Sequence, residues 1–148
     1  MASMLKLEIV TPEAVAYSET VDMVVLPGAA GELGVLAGHE PLMTTVVPGE
    51  LRVIRGGEET VMAIGSGFAE ITGESVRVLA DMAVRAEEID EAAAIEARKR
   101  AEQRLAEKLS DEEIITVEAS MQRALIQIEV KRRHRGQHAG HGQHSHQK

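Results

Sequence analysis

The segment GELGVLAGHEPLMTTVVPGEL, residues 31–51, places one carboxylate, Glu32, and one imidazole, His39, among closely spaced glycines. A carboxylate and an imidazole that meet in one loop can serve as general acid and base. The sequence shows no serine or cysteine nucleophile in a recognisable elbow and no third group that would orient the histidine. The segment is therefore expected to form turns with one exposed polar loop rather than a catalytic site.

Nucleotide binding by the glycines of this segment is also disfavoured. A phosphate-binding loop needs a lysine and a serine or threonine after its last glycine, and a dinucleotide fingerprint needs a surrounding strand–helix–strand unit. Neither feature accompanies residues 31–51. The sequence predicts a non-catalytic protein with no cofactor.

The charge distribution argues against nucleic acid as a partner. The 148-residue chain has a net charge of −8, but residues 131–148 hold only basic charges, so the first 130 residues carry 11 basic and 24 acidic side chains. Phosphate binding needs clustered cations, and base stacking needs aromatic rings, of which the chain has one Tyr and one Phe.

Membrane insertion is not expected either. The longest apolar runs are about half a dozen residues, against roughly 20 needed to span a bilayer. No secretory signal is visible, and the absence of cysteine fits a reducing compartment. We expect a soluble chain that docks on its partners.

Turn-forming residues divide the chain into two parts. Ten of the 13 glycines and all four prolines lie within residues 1–73. In this part LKLEIV alternates apolar and polar residues, LRVIRGGEETVMAI has two apolar runs joined by Gly56 and Gly57, and FAEITGESVRVLAD repeats the pattern. Alternation and glycine turns are typical of strands and hairpins. Residues 1–86 are therefore predicted to form a β-sandwich of eight to ten short strands.

Residues 87–133 are predicted to form a two-helix hairpin, which makes the overall class α+β. IDEAAAIEARKRAEQRLAEKL is rich in strong helix formers, with Asp90 as its N-cap. After a break of one or two residues, Ser110 and Glu113 form a capping box that opens the second helix. The positions expected to face the partner helix are Ala93, Ala97, Ala101 and Leu105 in the first helix, and Ile114, Val117, Met121, Ala124, Leu125 and Ile128 in the second. Alanine methyl groups bury little apolar area, so a competing partner could open the hairpin.

Residues 134–148 hold five of the six histidines, irregularly spaced, and are predicted to be disordered. Without a scaffold to fix the imidazoles, no physiological metal site is predicted. The basic run KRRHR, residues 131–135, would either touch an acidic lipid or protein surface or form a solvated helix end that suits the helix dipole.

Three blocks, GELGVLAGHEPLMTTVVPGELRV, AIGSGFAEI and VRVLADMAVRAEEIDEA, occur in this order and with this spacing. Together they resemble the epsilon subunit of bacterial F-type ATP synthases, over about residues 4–132. The first block carries the family pattern G-x-L-G-(V/I)-x-x-G-H-x-P-L. The resemblance implies an N-terminal β-sandwich followed by a helical hairpin, in agreement with the two-part pattern.

The resemblance further implies a non-catalytic subunit of the rotating central stalk, which couples proton flow through the c ring to ATP synthesis. Its partners would be the gamma subunit, the c-subunit ring and the alpha/beta catalytic subunits. Its location would be peripheral, on the cytoplasmic face of the bacterial inner membrane. In this resemblance, the loop carrying Glu32 and His39 faces the polar loops of the c ring.

The hairpin of related subunits can extend along gamma and block ATP hydrolysis. If it does so here, the basic residues that would suit an acidic surface on the beta subunit are Arg123, Lys131, Arg132 and Arg133. Two helices of about 20 residues each could reach about 60 Å when opened.

Some family members bind ATP on the hairpin through an I/L-D-x-x-R-A motif and basic residues of both helices. The matching positions here are Ile89, Asp90, Arg100 and Arg123, whereas Ala93 and Gln127 stand where arginines would be. Losing two guanidinium groups removes bidentate phosphate contacts, so ATP binding is expected to be weak or absent. An ATP-sensing hairpin, a small hydrolase and a membrane-surface adaptor acting through KRRHR are the competing hypotheses.

Overall fold

The computed structural model describes residues 4–146, with side chains described for residues 4–136. The chain divides into two compact units, Met1–Arg85 and Ala86–Lys148. Among the described residues the first unit is built from strands, and the second from a short 3₁₀ helix and two α-helices. The predicted fold class, a β-sandwich followed by a helical hairpin, is confirmed.

The first unit contains ten short strands within its described residues. They are β1 (Leu5–Val10), β2 (Val15–Val21), β3 (Met23–Gly28), β4 (Gly31–Leu36), β5 (Leu42–Val46), β6 (Gly49–Arg55), β7 (Glu58–Ile64), β8 (Gly67–Ile71), β9 (Ser75–Ala80) and β10 (Ala83–Arg85). Hydrogen bonds join them in the order β10-β7-β6-β3-β5-β8-β9-β1-β2, and β4 pairs with β3 outside this path. The β1–β9 pair is parallel, and β1 and β2 pair antiparallel.

The sheet bends over on itself, since strands far apart in this order come into contact. Arg55 Nη1 of β6 lies 3.3 Å from Glu19 Oε2 of β2. The guanidinium of Arg85 in β10 lies 5.4 Å from the ring centroid of Tyr17 in β2, so the two ends of the strand order meet. Burial raises the pKa of the Tyr17 hydroxyl, as expected for a ring held at this closure.

One aliphatic core lies between the layers. The predicted alternation of β1 is confirmed, because Leu5, Leu7 and Ile9 are fully buried while Lys6 is exposed. The largest other side chains that are fully buried are Leu26, Leu51, Met62, Ile64 and Ile71. With so few aromatic rings, branched aliphatic side chains supply the burial that stabilises this unit.

Glycines permit the tight turn and the close approach that this sheet needs. Gly56 and Gly57, with φ of 58° and 82°, form the turn between β6 and β7, which confirms the predicted hairpin. A Cβ at Gly67 would overlap with the backbone of Leu79 in the neighbouring strand β9. The glycine of GSGFAEI therefore lets β8 and β9 pair without a side chain between them.

The second unit begins with the 3₁₀ helix Ala86–Glu88 and continues with α1 (Glu91–Leu105) and α2 (Asp111–His146). The Asp90 cap is confirmed, since the Ala93 N–H donates to Asp90 Oδ1 at 3.0 Å. The capping box is confirmed as well: the Glu113 N–H donates to Ser110 Oγ at 3.2 Å, and the Ser110 N–H donates to Glu113 Oε1 at 3.1 Å.

The connection between the helices is longer than predicted. Helix α1 ends at Leu105 and α2 begins at Asp111, which replaces the expected break of one or two residues by residues 106–110. Strong helix formers in this stretch do not keep it helical, because a reversal of chain direction needs several residues outside the helix.

The buried face of the hairpin differs in two positions from the prediction. In α1, Ala94 and Ala101 are buried while Ala93 is exposed. In a helix of 3.6 residues per turn, residues spaced four apart are rotated by about 40° relative to one another. Along α1 this rotation takes Ala93 off the buried face, and Ala94 lies there instead. In α2, Ala124 and Ile128 are buried as predicted, but Leu125 is 42% exposed.

Helix α2 continues past residue 133, where the chain was expected to become a disordered tail. Adding a residue to an existing helix fixes one residue for one new hydrogen bond, so a long helix extends into segments that would not start one. Of the predicted tail, residues 147 and 148 lie outside the described residues, and nothing is described of the side chains after Gly136.

Candidate interaction surfaces

Strand β4 separates Glu32 and His39, the two residues of the predicted polar loop. Glu32 is the second residue of β4, whereas His39 follows its other end, where the Gly38 N–H donates to Gly73 O at 2.7 Å. The strand from Glu32 to Leu36 alone spans ~13 Å. The expectation of one polar loop carrying both is wrong, because most of this run pairs with β3 instead of forming turns. An acid–base pair of Glu32 and His39 is excluded by the same separation.

Glu32 belongs to a charged group on the sheet surface. Arg52 Nη2 donates to Glu32 Oε2 at 3.1 Å, and Arg52 Nη1 lies 3.8 Å from Glu59 Oε2. Arg52 Nε lies 4.0 Å from Glu50 Oε2. We call these four residues the Arg52 cluster. Arg52 brings these carboxylates together, so the cluster presents a polar surface to a partner group.

His39 is half-buried and makes a local contact. Its Nδ1 lies 2.8 Å from the carbonyl oxygen of Glu40. A carbonyl oxygen can only accept, so Nδ1 carries a proton and, in the neutral ring, Nε2 is left as an acceptor. The ring is thus oriented by its own loop and presents one nitrogen for a contact.

An apolar surface on the outer side of the sheet was not predicted from the sequence. Met43, Phe68 and Leu79 are 69%, 59% and 50% exposed, and Phe68 is the only phenylalanine of the chain. Phe68 lies directly opposite Leu79, while the next residues, Ala69 and Val78, are buried in the core. We call Met43, Phe68 and Leu79 the outer patch. Its signal in the sequence is that GFAEI and SVRVLA carry large apolar residues on both alternating faces.

The basic residues assigned to a beta-subunit contact all have partners inside the second unit. Arg123 Nη2 donates to Ser120 Oγ at 3.2 Å, and Arg133 Nη2 donates to Glu129 Oε1 at 2.8 Å. Lys131 Nζ donates to the carbonyl oxygens of Ala86 and Glu87 at 3.0 and 3.4 Å, and Arg132 Nε donates to Glu91 Oε2 at 2.8 Å. In this conformation these cations are engaged within the hairpin.

The positions of the degenerate nucleotide motif do not converge on one site. Ile89 is buried, 5% exposed, and the Asp90 carboxylate caps α1. A groove of about 220 Å³ between the helices is lined by residues that include Ala93, Arg123 and Gln127. Arg100 is exposed and is not part of that lining. Arg123 supplies the guanidinium group among the residues that line this groove, and its Nη2 donates to Ser120 Oγ.

The described part of the chain holds neither a cluster of metal ligands nor a membrane-spanning helix. Among residues 4–136, no three histidine or carboxylate side chains come together as metal ligands. No helix in the described residues combines the length and apolar character that crossing a bilayer requires.

Two domain families match the chain one directly after the other, the first in the strand unit and the second in the helical unit. Residues 4–86 match the family described as ATP synthase, Delta/Epsilon chain, beta-sandwich domain. Residues 87–132 match the family described as ATP synthase, Delta/Epsilon chain, long alpha-helix domain. The chain therefore belongs to the ATP synthase delta/epsilon chain family.

Individual relatives specify the subunit. The chain is 47% identical over 132 residues to an ATP synthase epsilon chain of Dehalococcoides mccartyi, a match that covers 88% of this chain and 94% of the relative. It is 44% identical over 126 residues to an ATP synthase epsilon chain of Herpetosiphon aurantiacus, covering 85% of this chain and 93% of the relative. The resemblance to bacterial epsilon subunits is confirmed.

A solved structure supports the same assignment. The chain is similar, with a TM-score of 0.64 and 27% identity, to a chain in the mitochondrial ATP synthase of Euglena gracilis, solved as OSCP/F1/c-ring in rotational state 1. The match covers 81% of this chain and 76% of that chain. The structural neighbour thus belongs to an ATP synthase complex that includes F1 and the c ring.

Proposed function

We propose that this protein is a non-catalytic central-stalk subunit of a proton-translocating F-type ATP synthase, where it couples proton flow through the c ring to ATP synthesis. The observation that carries the proposal is the match of both units, in order, to the delta/epsilon chain family. The chain would lie peripherally on the cytoplasmic face of the bacterial inner membrane, held by protein contacts.

Two surfaces of the first unit are candidates for the rotor contacts. The outer patch exposes three large apolar side chains, which suits a permanent protein partner, and we assign it to the gamma subunit. The Arg52 cluster is polar, which suits the polar loops of the c ring. His39, at the other end of β4, would reach a different part of that interface.

Separate alanine variants at Glu32 and His39 in the assembled enzyme test this assignment. We expect Glu32→Ala to lower the rate of proton-driven ATP synthesis, normalised to the amount of assembled enzyme. The folding stability of the purified subunit should stay the same. Exposed Glu58, in β7 and outside the cluster's ion pairs, offers Glu58→Ala as the matched control. Normal coupling in both variants would remove these residues from the c-ring contact.

The second unit is proposed to restrain ATP hydrolysis by extending from its closed form into the alpha/beta assembly. Lys131 and Arg132 contact the 3₁₀ helix and α1, which supports a closed resting form that frees these two cations when the hairpin opens. Arg123 and Arg133 instead donate within α2, to Ser120 and Glu129. Removing residues from 88 onward should raise the ATPase activity of the assembled enzyme. An unchanged activity would leave the coupling role alone.

ATP sensing by the hairpin remains the alternative function and has less support. The groove beside Arg123 is about 220 Å³, below the size of a pocket that encloses a drug-sized ligand. Calorimetry on the isolated chain should therefore detect no tight ATP binding. Tight binding that is lost in Arg123→Gln would reverse the order of the two hypotheses.

A further inference from the structure

Glu91 joins the first turn of α1 to a distant part of α2. Its Oε2 accepts a hydrogen bond from Arg132 Nε at 2.8 Å, and its Oε1 accepts one from Arg135 Nη1 at 2.6 Å. The Glu91 side chain is 16% exposed, whereas those of Arg132 and Arg135 are 56% and 62% exposed. We call these three residues the Glu91 clip. Arg132 and Arg135 are three residues apart, so both project from the same face of α2.

The clip is a charge-assisted connection between the two helices. Hydrogen bonds between ionised partners are roughly twice as strong as neutral ones. A carboxylate in the first turn is also favoured by the dipole of α1. Hydrogen bonds from Arg132 and then Arg135 lower the pKa of the Glu91 carboxyl, so it stays ionised at neutral pH.

The apolar part of the seam has small side chains on its α1 side. The residues of α1 that are buried are Ala94 and Ala101, each of which contributes one methyl group. Since apolar stabilisation follows buried area, such a seam depends on its polar connections more than a leucine seam would. Other polar connections do not involve Glu91. Lys131 is bound to the carbonyl oxygens of Ala86 and Glu87, and Arg104 Nη2 of α1 donates to Glu113 Oε2 of α2 at 3.3 Å.

We propose that the Glu91 clip is the latch that keeps the α1–α2 hairpin closed, and that its release frees Arg132 and Arg135 together for an anionic partner surface. In the closed hairpin, Glu91 binds the two guanidinium groups that an anionic partner surface would otherwise bind. The family match ends at residue 132, so Arg135 comes from the part of α2 beyond it. The use of the freed arginines rests on the proposed function, but closure by the clip is a property of the full chain alone.

Because the chain has no cysteine, one introduced thiol reports opening without interference. Ala124, 3% exposed, lines the inter-helix groove with Ala94 and Ala97, so Ala124→Cys reacts with a maleimide when the seam opens. In the full-length Ala124→Cys chain we expect Glu91→Gln to raise the labelling rate roughly fivefold. Arg132→Gln combined with Arg135→Gln should give a similar rise, and all three changes together should add little more, because they remove one interaction.

Two controls make the result specific. Glu96→Gln changes an exposed glutamate of the same helix outside the clip and should leave the rate unchanged. Gln122→Cys, at an exposed position, should be labelled at the same rate in every variant. This result would show that the variants do not change the intrinsic reactivity of the thiol. The latch is refuted if Glu91→Gln labels no faster than Glu96→Gln, or if the Glu91 and arginine effects multiply. Because no ATP synthase is present, this outcome is independent of whether the hairpin inhibits hydrolysis.

Discussion

The guanidinium of Arg52 holds the carboxylate of Glu32 across strand β3, with Nη2 donating to Oε2 at 3.1 Å. Glu32 is therefore already engaged before any partner arrives, although its side chain remains 64% exposed. A cationic group of a partner would compete with Arg52 or join it on the remaining oxygen. The Arg52 cluster thereby couples a residue of the first glycine segment to the β6–β7 hairpin.

The first prediction concerns the strength of this pair. Because both side chains have solvent access, a double-mutant cycle of Glu32→Gln and Arg52→Met should give a coupling free energy of about 0.2–1 kcal/mol. Urea unfolding of the four proteins measures it. The pair of Arg55 and Glu19, 3.3 Å apart and similarly exposed, provides a matched cycle. A coupling above about 2 kcal/mol would contradict the view that the pair is a surface contact.

The second prediction concerns the glycine of the GSGFAEI block. Gly67→Ala should lower the free energy of unfolding by about 3 kcal/mol, because its new Cβ overlaps with backbone atoms of Leu79 and Ala80 that cannot rotate away. Gly73→Ala is the control, since the nearest atom to its Cβ, the His39 carbonyl oxygen, is 4.0 Å away. That variant should stay within about 1 kcal/mol of the parent. Equal losses in thermal unfolding would argue against the close β8–β9 approach.

The third prediction concerns the outer patch. Phe68→Ser and Leu79→Ser should each weaken binding to purified gamma subunit by roughly tenfold, as apolar residues at the centre of an interface do. Surface substitutions of this kind should change the unfolding free energy by about 0.5 kcal/mol or less. Leu36→Ser, at a position 56% exposed and outside the patch, is the control. The affinity of each variant for gamma is measured by titration calorimetry. If all three variants bind gamma as tightly as the parent does, the outer patch is not part of the gamma contact.

The fourth prediction concerns acid. In the folded chain, bonds from the Ser110 backbone and hydroxyl, followed by Arg104, lower the pKa of Glu113, and the arginines of the clip lower that of Glu91. A lowered folded pKa means that the stabilisation is complete above the ordinary value of 4.5 and disappears as pH falls below it. Melting of the helical signal in circular dichroism should therefore shift to lower temperature as the pH falls below 4.5.

Variants assign this acid response to its groups. Glu91→Gln and Glu113→Gln should each flatten the dependence of melting temperature on pH, and Glu96→Gln should leave it as in the parent. If the two single variants retain the full acid response, other carboxylates cause it.

Much of the architecture could be predicted from local patterns. Alternation in LKLEIV, the Gly56-Gly57 turn, the Asp90 cap and the Ser110–Glu113 box each depend on residues within a few positions of one another, and each is found in the structure. Secondary-structure propensity and capping act over this same short range, so a sequence displays them directly. Two predictions were wrong: that Ala93 is buried, and that one or two residues connect the helices. Both outcomes depend on how one helix is rotated against the other and on where it ends.

The functional surfaces depend on contacts that sequence spacing does not display. Glu32 meets Arg52 across 20 positions, and Glu91 meets Arg132 and Arg135 across 41 and 44 positions. By itself, the sequence determined the division into a strand unit and a helical hairpin, because glycine, proline and helix formers bias each backbone segment locally. The tertiary structure alone decided that β4 separates Glu32 from His39, that Phe68 faces outward, and that one glutamate holds two arginines. Strand register and helix rotation settle these outcomes, since they place side chains together only when distant segments pack.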